Sequence, residues 1–372
     1  MTIARFYFTG WKKLIPPPLA RIVTALLCIL WSIIAFNMVL TVTQFHVGRW
    51  IPSLVRGAFE AIGLIFGTGG AASLGIFLLL SELSRRFSPA FSVRRRILIR
   101  SVGAAAVAAP FATLAFGGII ERTRFEVKEI DLPVPNLHPD LEGLRIAQIS
   151  DLHVSPFLSV REAGRAVDMT NELRPHLVFV TGDLISDFGD PLDETVLELA
   201  RLRADAGVLG CLGNHELYAR CQNRETWLCA QHGITMLRGE SRTLRFGKGL
   251  LNVAGVDYQR SMDGHKMYLA GMESLVRPDA TNLLLSHNPD VFPVAVRKGY
   301  DVTLAGHTHG GQVTIEILSQ SMNVARFFTP YVKGLYRIDG RTCYVNAGIG
   351  TIGMPVRFGV PPEISLFRLR KA

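Results

Sequence analysis

Five short segments of this 372-residue chain each place Asp, Asn or His directly after an apolar run. They read Ser150-Asp151-Leu152-His153, Gly182-Asp183, Gly213-Asn214-His215-Glu216, Ser286-His287-Asn288 and Gly306-His307-Thr308-His309-Gly310-Gly311-Gln312. Carboxylate oxygen, carboxamide oxygen and imidazole nitrogen together are the donor mix for a pair of borderline-hard divalent cations. Flanking glycines let the backbone turn tightly beside such ligands. Singly, the segments differ in weight. An Asp-x-His pair is common in solvated loops, and Gly-Asp after a strand is ordinary turn chemistry. Gly-Asn-His-Glu is more specific, and two histidines at i and i+2 on a glycine-bracketed loop rarely serve packing. All five in this order point to a metal centre rather than to unrelated turns. His176 is set apart, because it precedes a strand and has no paired ligand.

Regular elements must hold these segments in place. Short β-branched or Leu-rich runs predict strands at Leu144–Ile149, Leu177–Thr181, Gly207–Leu212, Leu251–Val256, Asn282–Ser286 and Val302–Ala305. Later runs predict two more, at Thr342–Asn346 and Ile364–Leu369. Between them, Val160–Leu173 and Pro191–Leu202 carry apolar residues at helical spacing. This alternation predicts an α/β layered domain over 144–372, with chemistry on the loops at strand C-termini.

The first third of the chain is a different material. Residues 22–45, 61–80 and 101–120 carry no charge, in a chain that is 48% hydrophobic and only 19% charged. The first run is long enough to cross a hydrocarbon core of ~30 Å. The second is rich in glycine, which suits close helix packing in lipid. The third, made largely of Ala and Gly, gains least from transfer into lipid. Residues 1–125 hold 14 Lys/Arg and 3 Asp/Glu, a net of +11, and the remaining 26 and 28 give −2. The basic excess therefore sits beside the apolar runs, where it reads as membrane topology, and no nucleic-acid surface is indicated. The arginines between the second and third runs, Arg85, Arg86, Arg94, Arg95, Arg96 and Arg100, mark the cytoplasmic side. Three spans would then put everything after residue 120 on the extracytoplasmic side. Arg94-Arg95-Arg96 before an Ala-rich run also resembles a twin-arginine export signal, which leads to the same side. Residues 126–143 are expected to be a linker, short enough to keep the domain close to the bilayer. Cys221 and Cys229 are equally consistent with a disulfide and with free thiols on a helix.

The motif series Asp-x-His, Gly-Asp, Gly-Asn-His-Glu, His and Gly-His-x-His resembles that of the calcineurin-like metallophosphoesterases. The tail Tyr344-Val345-Asn346-Ala347-Gly348-Ile349-Gly350-Thr351, followed by Pro355-Val356-Arg357 and Pro361-Pro362-Glu363-Ile364, is similar to the closing pattern of a membrane-anchored bacterial phosphodiesterase branch. Asn346-Ala347 departs from the Ser-Arg more usual there. The resemblance implies a four-layer α/β/β/α sandwich and two divalent ions, Mn, Fe or Zn. One ion would take Asp151, His153, Asp183 and His309, and the other Asp183, Asn214, His287 and His307. A bridging Asp183 would set the ions ~3.5–4 Å apart, suited to clamping a phosphoryl group and activating a shared hydroxide for in-line attack. Asn214 would help neutralise charge on the phosphoryl oxygens. His215, in excess of the ligand count, would protonate the leaving oxygen. Arg357 and Glu216 are candidates for the substrate side, and Glu216 also reads as an orienter of the ligands or, equally, as a solvated loop residue.

The function expected is a membrane-anchored phosphohydrolase of the bacterial inner membrane, cleaving a phosphodiester or pyrophosphate. A lipid-linked substrate is favoured by the short tether and by the apolar stretch Ile315–Val332, most of which is expected to pack in the core. The alternatives are a nucleotide phosphodiesterase or phosphatase without lipid preference, and a membrane sensor whose metal domain is inactive. A transporter is disfavoured, since the apolar runs contain no ionisable residue to mark a pathway.

Overall fold

The computed structural model describes residues 93–260, 268–317 and 320–372, with isolated helical positions between 69 and 79. The chain divides into two compact units, Met1–Ala115 and Phe116–Ala372. The apolar run 22–45 and most of 61–80 lie outside the described residues. The third run is helical, within α1 (Val93–Ile119), which contains Pro110. Among the described residues no helix is long and apolar enough to cross a membrane.

The second unit is built on two mixed sheets. One contains β1 (Glu126–Val134), β2 (Arg145–Ile149), β3 (Leu177–Thr181), β4 (Val208–Cys211), β5 (Ile234–Met236) and β14 (Glu363–Lys371), in the order β1-β14-β2-β3-β4-β5. The other contains β6 (Glu240–Phe246), β7 (Gly249–Gly255), β8 (Thr281–Leu285), β9 (Val302–Ala305), β12 (Gly334–Ile338) and β13 (Arg341–Val345), in the order β12-β13-β9-β8-β7-β6. A hairpin of β10 (Thr314–Ile317) and β11 (Gln320–Asn323) stands apart.

Alternation along the strands decides what each face meets. Ile146, Leu177, Phe179 and Leu209 face Leu251, Val253, Leu283 and Leu304 between the sheets. On the same strands, Ala147, Ile149, Val178 and Val180 turn the other way. They pack on α2 (Val160–Glu172) through Ala163, Ala166 and Val167, and on α3 (Leu192–Leu199) through Val196 and Leu199. The outer face of the second sheet meets α6 (Phe292–Lys298) through Phe292, Ala295 and Val296. Helices thus cover both outer faces of the paired sheets, in keeping with the expected layers. A capping box between Ser159 and Glu162 starts α2.

Residues 126–143 are not a linker. Residues 126–134 form β1, paired in parallel with β14, and Leu132, Val134, Leu137 and Leu141 enter the inter-sheet core. The sequence Glu-Val-Lys-Glu-Ile-Asp-Leu-Pro-Val disguises this, because an edge strand tolerates charge on its open face and a proline near its end. Among the described side chains of 315–332, Tyr331 packs on Phe292 and Val332 is buried, but Phe327 and Phe328 are not core. The stretch comprises the hairpin, a short turn at Val324–Phe327, and the exposed Phe327 and Phe328. Cys211, Cys221, Cys229 and Cys343 are free and buried. Cys221 is the N-cap of α5 (Gln222–Gln231), and Cys229 lies within that helix.

Candidate metal centre

All five motif segments converge at one end of the paired sheets. Strands β2, β3 and β4 run parallel in the first sheet, and β8, β9 and β13 in the second, so their C-terminal loops meet. Backbone hydrogen bonds knit these loops together. Asp151 N–H donates to Gly182 O, His153 N–H to Asp183 O, Gly306 N–H to His287 O, and Gly350 N–H to Asp151 O.

Asp151, His153, Asp183, Asn214, His287 and His309 are buried, while His215 and His307 are partly open to solvent. Their donor atoms fall into three overlapping groups, each within 4.8 Å: Asp151, His153 and His309; His153, Asp183 and His215; Asp183, His287 and His307. His153 Nε2 lies 3.4 Å and His287 Nε2 3.0 Å from Asp183 Oδ2, so this carboxylate stands between the two imidazole sets. His309 Nε2 approaches Asp151 Oδ1 at 3.4 Å and His153 Nε2 at 3.1 Å.

This donor set fits divalent cations. Asn214 Oδ1 is buried without a hydrogen-bond partner, an arrangement that is costly unless something else satisfies it, and His287 Nε2 turns inward toward the Asp183 carboxylate at 3.0 Å. The facing nitrogens of His153 and His309 have the same need. The far side of the rings is fixed. His287 Nδ1 meets Thr181 O at 2.7 Å and His153 Nδ1 meets Ser186 Oγ at 3.2 Å, which leaves each Nε2 directed inward. His215 Nδ1 is 2.5 Å from the Ser186 carbonyl, so its N–H donates there and Nε2 remains available.

The backbone is strained where the ligands stand. Asp151, His153, Asp183, His307 and His309 have φ of 51°, 47°, 56°, 75° and 51°. Holding a non-glycine residue in this region costs about 1–3 kcal/mol. Close approach also explains two glycines. A Cβ at Gly213 would lie 2.1 Å from Asp183 Oδ1, and one at Gly306 2.2 Å from Asp151 Oδ2.

Electrostatics divide the histidines. Burial opposes charge on His287, but Asp183 and Asp151 beside it outweigh this and hold its pKa at about 10. The same pairing keeps the Asp183 carboxyl well below the usual range despite its burial, whereas burial pushes Asp151 up. Burial, reinforced by the neighbouring His287, takes His307 down to about 3, and burial lowers His309 as well. His215 is lowered by burial, with Asp183 opposing.

Two expected substrate residues serve the frame instead. Arg357 is fully buried and donates to the carbonyls of Gly350, Ala347 and Val360, so it ties the 347–360 loop together and does not face the site. Glu216 is buried too, and its carboxylate accepts from Gly213 N–H at 2.7 Å, Asp183 N–H at 3.0 Å and Leu184 N–H at 2.8 Å. It joins two ligand loops from behind. Asn346 likewise serves structure, bonding Ser365 Oγ and Gly348 N–H. Sequence reading missed Tyr258, whose hydroxyl lies 3.4 Å from His307 Nε2, and Ser186, which holds two histidines. Neither sits in a motif, so only the fold reveals them.

Residues 144–311 match the family model for calcineurin-like phosphoesterases. That match covers 168 of the 372 residues, and over it the chain is similar to the calcineurin-like metallophosphoesterases, which are metal-dependent phosphoesterases. The chain is 28% identical over 292 residues to a transmembrane protein with metallophosphoesterase domain from Danio rerio, covering 70% of this chain and 61% of that protein. It is 28% identical over 287 residues to the metallophosphoesterase YkuE of Bacillus subtilis, covering 74% of this chain and 97% of YkuE. The chain spans 61%, 57% and 49% of the animal relatives from Danio rerio, Bos taurus and Caenorhabditis elegans. Among solved structures, an archaeal phosphodiesterase is similar with a TM-score of 0.31 at 14% identity, covering 56% of this chain and 87% of that one.

Proposed function

We propose that the chain is a membrane-anchored, metal-dependent phosphohydrolase that cleaves a phosphodiester or pyrophosphate bond. The observation that carries this reading is the buried ring of donors around Asp183, shared between two imidazole sets. Asp151, His153, Asp183 and His309 would hold one divalent ion, and Asp183, Asn214, His287 and His307 a second. Bound ions would supply Lewis-acid stabilisation of the phosphoryl oxygens and a nucleophile at neutral pH.

The remaining roles fall to the protein. Glu216 fixes the Asp183 and Gly213 backbones, so the shared carboxylate and Asn214 keep their positions. His215 is partly exposed beside the donors of His153 and Asp183 and is held through Nδ1. In this reading His215, protonated at Nε2, delivers that proton to the leaving oxygen, a service worth roughly 10²–10⁴ in rate. The uncharged runs 22–45, 61–80 and 101–120, with arginines clustered before the third, support anchoring and an extracytoplasmic domain. Relatives described as transmembrane proteins add to that support. An anchored site so near the bilayer suits a lipid-linked phosphoester.

The test uses the full chain in detergent, loaded with Mn²⁺, on bis(p-nitrophenyl) phosphate and p-nitrophenyl phosphate. Hydrolysis of the diester should exceed that of the monoester. Asp183→Asn should lose both metal and activity, by at least ~10³-fold. His215→Ala should keep its metal and lose ~10²–10⁴-fold in kcat. A chain that binds two ions and hydrolyses neither compound would instead be a sensor.

A further inference from the structure

The four most exposed large hydrophobic side chains among the described residues are Phe327 at 87%, Phe188 and Phe328 at 83%, and Ile119 at 74%. Single exposed hydrophobics are ordinary on a protein surface. All four stand close in the chain to groups bonded to the ligand loops. Phe188 lies two residues beyond Ser186, which holds His153 and His215. Phe327 and Phe328 end the turn whose N-cap, Asn323, donates to Gly310 O beside His309. Ile119 lies in the last turn of α1, where Gly117 O accepts from Arg357 N–H and the Phe116 ring meets Phe358 edge-on. Phe358 N–H in turn donates to Gln312 O, at the end of the His309 loop. Arg122, just after α1, donates to Phe157 O in the loop that follows His153.

Each exposed side chain therefore stands on a segment bonded to a loop that carries or braces a metal ligand. Basic groups stand among them. Arg326 precedes Phe327, and Arg124, with a side chain 69% exposed, follows Ile119 and Ile120. At Phe327, Phe328 and Ile119 the apolar tips have a guanidinium group nearby in the chain, which matches the layering of a lipid surface, with acyl chains beneath phosphate headgroups. Phe188 stands between Asp187 and Asp190 instead. The third uncharged run ends at Ile120, one residue past Ile119.

We propose that this rim docks into the bilayer surface, so that the metal centre faces the headgroup layer and takes a phosphoester presented by a membrane lipid. The proposal rests on the anchored-phosphohydrolase reading and adds the orientation of the site and the residues that set it.

The full chain is reconstituted in vesicles of phosphatidylethanolamine and phosphatidylglycerol whose acyl chains carry bromine, which quenches tryptophan on contact. Phe328→Trp and Phe188→Trp are compared with Leu197→Trp, a half-exposed position on α3. Emission added at 328 and 188 should fall at least two-fold relative to bromine-free vesicles, and emission added at 197 should not. In parallel, Phe327→Ser/Phe328→Ser should lower hydrolysis of a fluorescent phosphodiester lipid at least ten-fold more than that of bis(p-nitrophenyl) phosphate. Equal quenching at all three positions, or none at 328 and 188, overturns the docking face. Emission at 328 that changes with protein concentration instead of bromine would assign the face to a second copy, and equally overturns it. Quenching as expected, with the parent chain inactive on bis(p-nitrophenyl) phosphate, would sink the phosphohydrolase reading and leave the docking face standing.

Discussion

At the scale of single residues, strain and charge collect on the same side chains. Five candidate ligands hold left-handed backbone, and two of them, the partly open His307 and the buried His309, resist protonation. This sets the acid behaviour of the metal-free protein. Below pH 6.5 an unfolded chain protonates His307, whereas the folded chain does so only near 3. The unfolded state therefore binds more protons in that window, and stability must fall with pH. From pH 7 to 5, His307 alone should remove about 2 kcal/mol, at 1.36 kcal/mol per unit over the ~1.5 units below 6.5. His287 behaves oppositely: its contribution is full below pH 6.5 and is lost as pH rises through about 10. Denaturation of the EDTA-treated protein at pH 7 and 5 should show the acid loss, reduced in His307→Gln; an unchanged slope in that variant would refute the assignment. The residue types of the site were legible because metal coordination restricts donors to a few side chains at strand ends. Strain was not, since φ depends on how neighbouring loops are bonded. Arg357 misled for a related reason: a guanidinium satisfies carbonyl oxygens as readily as phosphate, and only burial tells the two apart.

At the scale of elements, the short helix α4 (Asn214–Tyr218) makes a specific demand. Its Glu216 accepts three backbone N–H groups from two loops. Glu216→Ala would leave them buried and unpaired, at about 1–3 kcal/mol each before relaxation. A loss of several kcal/mol in urea denaturation is expected, with Glu216→Gln retaining part of it. Gly213→Ala should act on the metal instead, by pushing a methyl group against Asp183 Oδ1. Its metal affinity should drop at least ten-fold by titration, with a smaller change in stability. Central strands such as β3, apolar throughout, were plain in the sequence because both faces are covered. The edge strands β1 and β6 mix charged and apolar residues, which read equally well as loop, and β5 is only three residues long.

At the scale of the whole molecule, metal binding and folding are linked. Ions that bind the folded centre and not the unfolded chain stabilise by about 2.7 kcal/mol per site at a hundredfold excess over Kd. Mn²⁺ should therefore raise Tm by several degrees, EDTA should reverse the shift, and Asp183→Asn should abolish it. A shift that survives in Asp183→Asn would place the ions elsewhere.

The position of β14 has a consequence in time. This strand, residues 363–371, lies between β1 and β2, and its Arg370 pairs with Asp131, 239 positions earlier. During synthesis β1 emerges early and waits for its neighbour until residue 371 has been made. Such distant pairing is slow to form. A chain halted at Pro361 would carry every ligand named above and still leave β1 without a partner strand. The ribosome thus delivers the metal ligands well before it delivers the sheet that holds them in register.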